Sequence, residues 1–239
     1  MTAITILQQY ARELFGLSLT AEQLALFDQY HQILIDWNSR INLTAITDPE
    51  GVIIRHFLDS LSVAKAVKLH SGMRLIDVGT GAGFPGVPLH IVTPDLYTTL
   101  SDSTGKKLAF LEHVITSLSL QKIKTLHARA EEAAHLSHQR ASYDVVVARA
   151  VARLPALVEY LLPFAQVGGV CIAMKGATVF EEARDAASAC RTLGGEIGDI
   201  TEIELPGIPD KHYLIAIHKI SRTPSQYPRK PGVPTRDPL

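Results

Sequence analysis

The sequence predicts an α/β fold: a seven-stranded, mostly parallel sheet with helices on both faces, preceded by a small helical N-terminal extension. Three observations predict it. From Met73 onward, short apolar runs alternate with stretches of helical spacing, the pattern of a parallel sheet covered on both sides. The first of these runs, at 75–78, is followed at once by Gly79, Gly81 and Gly83, so a strand ends in a tight loop. Residues from about Ile4 to Leu69 show helical periodicity and no alternation.

The clearest helix of the extension begins at Thr20. Its hydroxyl caps the backbone while Gln23 reaches back, and Leu24, Phe27, Tyr30, Leu34, Trp37 and Ile41 follow at helical spacing as a core-facing stripe. A loop from Asn38 to Thr47 comes next. Asp48 and Pro49 then open another helix, with Ile53, Ile54, Phe57, Leu58, Leu61 and Ala64 apolar. On it Arg55 and Asp59 stand four apart. Spacing alone suggests a solvated pair, worth a few tenths of a kcal/mol, and their place just ahead of the glycine loop leaves a functional account open.

Strands are expected near 73–78, 97–101, 123–128, 143–149, 169–175, 196–205 and 212–219. The connection between the last two, PGIPDK, is too short for a crossover helix, so they should pair antiparallel. Beyond Lys219 the chain is rich in proline and basic residues and should be extended. The expected organisation is an extension over 1–69, an α/β domain over 70–220 and a basic tail over 221–239 packed on that domain.

Composition narrows the class. With 239 residues and 46% apolar content there is enough material for a large core, and a formal net charge of −1 gives no overall pull towards a polyanion. Any nucleic-acid contact must come from a local basic patch. Cys171 and Cys190 are far apart and lie in apolar or helical surroundings, which points to buried thiols of a reducing compartment and to neither disulfide nor metal site. The first residues lack a signal-peptide pattern and nowhere do eighteen apolar residues run together, so a cytoplasmic protein without a membrane partner is expected.

Two ligands suit the glycine loop. Gly81, Gly83 and Gly86 fit the G-x-G-x-x-G spacing of dinucleotide binders, a weak signal by itself. Asp77 at the strand end favours a cationic ligand such as S-adenosylmethionine. The other strand ends add Asp102, 19 residues past Gly83 and suited to ribose hydroxyls, then the segment Ala128 to Glu131, able to flank an adenine. Arg149 leaves an apolar strand four residues before Arg153 and calls for an anion. An NAD-dependent oxidoreductase and a non-catalytic nucleotide-binding regulatory module are the rival readings.

The segments NLTAI (42–46), RHFLDSL (55–61), DVGTGAGFPGVPL (77–89), DSTGKKLAFL (102–111), ARAEE (128–132), VVARAVARL (146–154), MKG (174–176) and TPSQYPRKPGVP (223–234) span nearly the whole chain. Together they resemble the small-subunit ribosomal RNA guanine-N7 methyltransferases, the RsmG or glucose-inhibited division protein B family. The resemblance implies a class I (Rossmann-like) methyltransferase fold, S-adenosyl-L-methionine as cofactor, and methylation of N7 of a guanine in 16S rRNA of the small ribosomal subunit or its precursor. It implies cofactor contacts from Gly79 and Phe84 of the loop, where Asp77, Gly81 and Gly83 are expected from the loop's own spacing, and further contacts from Asp102, Ser103 and Thr104 and from Ala130 and Glu131. Arg149 is implied near the methyl donor as the catalytic position. Thr104 stands where many members have an apolar residue, so its contact is expected through the backbone.

Chemistry agrees with that implication. Guanine N7 already holds a free lone pair, so no general base is needed, and none is evident in recognisable spacing. For RNA, Arg55, Arg153, Lys175, Lys211, Arg222, Arg229 and Lys230 are the expected cations, with Tyr227 and His212 as stacking groups. The absence of a long exposed apolar stripe favours a monomer.

Overall fold

The structure is a computed structural model and describes residues 3–239. Helices α1 (Ala3–Phe15) and α2 (Ala21–Asn38) open it. The capping box forms as the sequence predicts, with Thr20 Oγ1 accepting from Gln23 N at 3.2 Å and Gln23 Oε1 accepting from Thr20 N at 2.9 Å. Gln23 Nε2 also donates to Ile91 O at 3.0 Å, which ties this cap to a helix of the sheet domain. Phe27, Tyr30 and Leu34 of the stripe are fully buried.

Asp48 caps α3 (Pro49–Val52) by accepting from Gly51 N at 2.6 Å. The chain then widens into a π-helical turn over Ile53–Leu58, continues as α4 (Asp59–Leu61) and tightens to a 3₁₀ turn over Ser62–Lys65. That widening corrects the expected Arg55–Asp59 pair. In a π turn the groups four apart no longer stack, and such turns recur at functional positions. Arg55 faces solvent, whereas Asp59 is buried and pairs elsewhere.

The described residues form one seven-stranded sheet, built from β1 (Arg74–Val78), β2 (Tyr97–Asp102), β3 (Ile123–His127), β4 (Tyr143–Arg149), β5 (Ala165–Lys175), β6 (Gly195–Ile203) and β7 (His212–Lys219). The order is β3-β2-β1-β4-β5-β7-β6. Strands β1 to β5 run parallel, and β7 enters between β5 and β6, antiparallel to both. Strand β5 starts at Ala165, earlier than expected, because its first residues extend past a register shift against β4. The register pairs Val78 with Ser101, Asp102 with His127, and Arg149 with Met174, so the carboxyl ends of β1 to β5 share one edge. The order reverses between β1 and β4, and an open sheet of this kind has its ligand crevice outside that edge.

Each face carries its own core. On one face the extension packs with α5 (Gly86–Val92) and α6 (Gly105–Ser117), joining Leu7, Phe27, Tyr30, Phe57, Val87 and Phe110 in a single cluster. On the other, α7 (Ala130–Ala133), α8 (Leu154–Leu161) and α9 (Val179–Thr192) cover the sheet. Cys171 and Cys190 are buried, unbonded thiols here, as expected, and burial pushes both up to about 12.

Residues 221–239 fold back across this second face. Arg140 donates to the carbonyls of Thr223 at 3.1 Å, Pro224 at 3.0 Å and Tyr227 at 2.8 Å. The Tyr160 and Thr235 hydroxyls meet at 2.6 Å. Most of this segment is irregular, but Val233–Arg236 closes into a helical turn, α10, which corrects the expectation of a wholly extended tail. Pro234 at its start supplies the φ that a helix needs.

Candidate active site

Two cavities open side by side along the carboxyl edge of the sheet. The first, of about 300 Å³, is lined by Gly79, Ser101, Asp102, Ser103, Thr104, Ala130 and Glu131, with Lys107, Arg129, Val151 and Tyr160 completing its walls. Five of the expected cofactor residues are thereby assembled from the ends of two strands, β2 and β3, beside Gly79 of the loop after β1. Asp102 is nearly buried. Its Oδ2 accepts from Gly81 N at 3.0 Å and its Oδ1 from Thr104 N at 2.8 Å, which leaves lone pairs free for a ligand's hydroxyls. Glu131 Oε1 accepts from Gly232 N at 3.0 Å, so the tail touches the wall of this cavity. Nothing in the sequence marked Val151 or Tyr160, since an apolar residue on a strand end and an aromatic in a helix look like core.

Asp77 differs from its expected role. It is fully buried and does not line the cavity; its Oδ2 accepts from Thr80 Oγ1 at 2.7 Å and from Gly86 N at 2.8 Å, bracing the two ends of the glycine loop. Burial raises its pKa to about 6, against the pull of those two hydrogen bonds. The remaining loop residues also act from behind. A Cβ on Gly83 would stand 2.6 Å from the Tyr30 hydroxyl and 2.9 Å from Leu111 Cδ2, so this glycine is a packing requirement. Gly81 has open space around it, with φ at +60°. Phe84 lies in an aromatic cluster with Tyr30 at 5.6 Å and Phe57 at 5.9 Å, and the Tyr30 hydroxyl donates to Ala82 O. The helical extension thus sets the shape of the loop.

The second cavity, of about 600 Å³, lies beyond Arg149. Ile46, Met174, Ile203 and Leu214 give it apolar walls, and Arg149, His56, Asp59 and His212 give it a polar side. Arg149 Nη1 donates to Asp59 Oδ2 at 2.8 Å and to Arg55 O at 3.0 Å, while its guanidinium lies 5.1 Å from the Phe84 ring centroid. His212 Nδ1 approaches Asp59 Oδ1 at 3.3 Å. His56 stacks on Phe84 at 4.7 Å and meets Thr44 Oγ1 at 2.7 Å. Burial, reinforced by the charge of Arg149, lowers the pKa of His56 to about 4. Ala150 lines both cavities and has φ at +56°, uncommon for a residue with a side chain. Sequence spacing set Asp59 beside Arg55; only the fold brings it to Arg149.

The expected RNA cations separate into two groups. Lys175 and Arg229 are both held by buried carboxylates, Lys175 in the wall of the second cavity. Lys175 Nζ sits 2.6 Å from Glu182 Oε2 and donates to Ala152 O at 2.9 Å. Arg229 is clamped on buried Glu159. Tyr227 also packs against the second core and is no free stacking surface. Arg55, Lys211, Arg222 and Lys230 remain at the surface, Arg55 and Lys211 on the rim of the second cavity and Arg222 and Lys230 in the tail. Lys211 pairs with Glu202 at 3.0 Å, and Arg153 lies 3.3 Å from Glu181, both in exposed pairs that cost little to break. Among the described residues no cluster of side chains is arranged to hold a metal ion.

A sheet in this order, a glycine loop after its central strand and a carboxylate after the next define a class I, Rossmann-like methyltransferase. Among solved structures, a SAM-dependent methyltransferase from Aquifex aeolicus, 17% identical, aligns over 71% of this chain and 93% of that one with a TM-score of 0.51. TrmN from Thermus thermophilus, 18% identical, aligns over 70% of this chain and 53% of that one with a TM-score of 0.52. At these identities the likeness concerns the fold alone. Sequence goes further, since a model of the GidB family, described as rRNA small subunit methyltransferase G, matches residues 23–209. Ribosomal RNA small subunit methyltransferase G of Acetivibrio thermocellus is 49% identical over 225 residues, 94% of this chain and 92% of that protein. The Geobacillus kaustophilus protein of the same name is 45% identical over 224 residues, 94% of each chain. The chain belongs to the rRNA small subunit methyltransferase G family, and as a member it is an S-adenosylmethionine-dependent ribosomal RNA methyltransferase.

Proposed function

We propose that the protein methylates N7 of one guanine in 16S rRNA, with the cofactor in the first cavity and the acceptor base in the second. The observation that carries this reading is the junction at Ala150, which lines both cavities directly after Arg149. The first cavity fits S-adenosylmethionine in kind, offering the buried Asp102 carboxylate to ribose hydroxyls and Ala130 and Glu131 to an adenine. When bound, the cofactor supplies a methyl group on a sulfonium, whose bonding pair returns to sulfur as N7 attacks. The chain itself aligns the base, excludes water and fixes charge around it. No proton has to leave N7, so the groups at the junction need no basicity. The neutral His56, held at a pKa of about 4, agrees with that requirement. Arg149 must keep its donors off N7, and its Nη1 is already engaged by Asp59 and Arg55 O.

The exposed cations Arg55, Arg153, Lys211, Arg222 and Lys230 are the proposed contacts to phosphates. We further read the enzyme as a cytoplasmic monomer acting on the small subunit or its precursor; among the described residues no helix is long and apolar enough to cross a membrane. The test is transfer of labelled methyl to free 16S rRNA, to assembling particles and to mature small subunits, followed by strand cleavage at 7-methylguanine. Label at one guanine is expected. Label on an exocyclic amine or ribose would overturn the assignment.

A further inference from the structure

We propose that Asp59 is the specificity-determining residue for guanine, accepting hydrogen bonds from N1–H and the N2 amino group of the base in the second cavity. This rests on the function proposed above and adds the group that selects the base. The cavity, at about 600 Å³, has ample room for a purine, and its apolar walls suit the two faces of a flat ring. Guanine presents, in order around its edge, N7, then O6 as an acceptor, then N1–H and N2–H as donors. With N7 at the Ala150 junction, the protein must offer a donor next to the junction and an acceptor beyond it. Arg149 and Asp59 offer that sequence, in contact at 2.8 Å.

Adenine would fail at both positions. It presents a donor, its N6 amino group, to the guanidinium and a lone pair, on N1, to the carboxylate. Other carboxylates of the cavity are less suited. Glu182 already accepts from Lys175 Nζ at 2.6 Å, Thr178 Oγ1 at 2.7 Å and Leu154 N at 2.7 Å. Asp210 is exposed on a loop at the rim. Asp59 is nearly buried, and each of its oxygens has one partner, Arg149 on Oδ2 and His212 on Oδ1, so each keeps an acceptor site. A buried charge with unused acceptor capacity, facing a cavity next to the reaction junction, is equipped to select a base with two adjacent donors.

The experiment compares methylation of a target RNA carrying guanine with one carrying inosine at the acceptor position. Inosine keeps N7, O6 and N1–H and lacks only the N2 amino group. The wild-type protein is expected to show a kcat/KM about tenfold or more lower for inosine, the scale of a hydrogen bond to a charged acceptor. Asp59→Asn places an amide donor where an acceptor stood, so its guanine rate should fall towards its inosine rate and the ratio should approach one. Asp59→Ser should do the same, and calorimetric affinity for S-adenosylmethionine should be retained in both. A ratio unchanged by either substitution would make Asp59 merely structural, and equal wild-type rates on the two RNAs would overturn the inference even if neither variant folds. If the wild-type protein transfers no methyl to the guanine RNA, the parent function falls and this assignment with it.

Discussion

Arg229 and Glu159 form a bidentate pair at the heart of the folded-back tail. Arg229 Nε stands 3.0 Å from Oε1, its Nη2 2.7 Å from Oε2, and its backbone N–H donates to Oε1 at 2.6 Å. Glu159 is fully buried, so it depends on this partner.

Removing one member of a buried pair leaves the other charge uncompensated. Arg229→Ala should therefore destabilise the protein by about 3–5 kcal/mol, measured by urea unfolding. Lys230→Glu, on the exposed neighbour, should leave stability unchanged and flatten the salt dependence of RNA affinity. A stable Arg229→Ala protein would show that the tail is held elsewhere.

Gly81 and Gly83 separate ligand effects from folding effects. Around Gly81 there is space, and only its φ of +60° resists a side chain, so Gly81→Val should fold and lose cofactor affinity in calorimetry through a distorted loop. Gly83→Ala meets the Tyr30 hydroxyl, Val87 and Leu111 at under 3 Å and should lower the melting temperature first. Equal melting temperatures for the two variants would refute this division.

Asp102 holds both the loop and the segment after β2. Asp102→Ala should weaken S-adenosylmethionine by roughly 1.5–3 kcal/mol, the range for hydrogen bonds to a charged acceptor, while the choice of guanine stays the same. An unaltered dissociation constant would take Asp102 away from the ribose.

At saturating cofactor and RNA, the single-turnover rate should be nearly flat from about pH 6.5 to 8.5, because no base acts. The buried histidines, His56 and His90, show instead in stability. His56 has a folded pKa of about 4 against an ordinary value of 6.5, so its neutral form favours folding; that stability is complete above pH 6.5 and is lost as pH falls towards 4. Asp77 acts in the opposite sense. Its raised pKa of about 6 contributes stability that is present below pH 3.8 and is lost as pH rises through 6. Urea unfolding of His56→Gln and wild type at several pH values should show a shallower slope in the variant, the remainder belonging to His90, which burial also lowers to about 4. A rate that rises steeply with a midpoint near 6.5 would instead reveal a catalytic base.

Much of the fold was legible because its signals are local. The Thr20 capping box, the strand runs and the short connection before β7 each depend on residues near one another in sequence. The cofactor side was legible for the same reason, since strand ends carry Asp102 and the Ala130–Glu131 segment into one crevice. The acceptor side was not. Arg55 and Asp59 look like an α-helical pair until a π turn separates them, and the partners Asp59 finds instead, Arg149 and His212, lie more than 80 residues away. The tail misled differently. Basic composition suggests a surface that meets RNA, yet Arg229 serves a buried glutamate on α8, a residue that helical periodicity gives no reason to expect inside a core.

The hydrogen bond from Gly232 to Glu131 has a consequence for biosynthesis. A chain made from its amino end presents the extension, the glycine loop and every strand before it presents Gly232. Until then Glu131 lacks the backbone donor that fixes its side chain at the cavity wall. The methyl-donor pocket is thus completed only after the whole sheet has been made, because one of its walls waits for a residue that follows every strand in the chain.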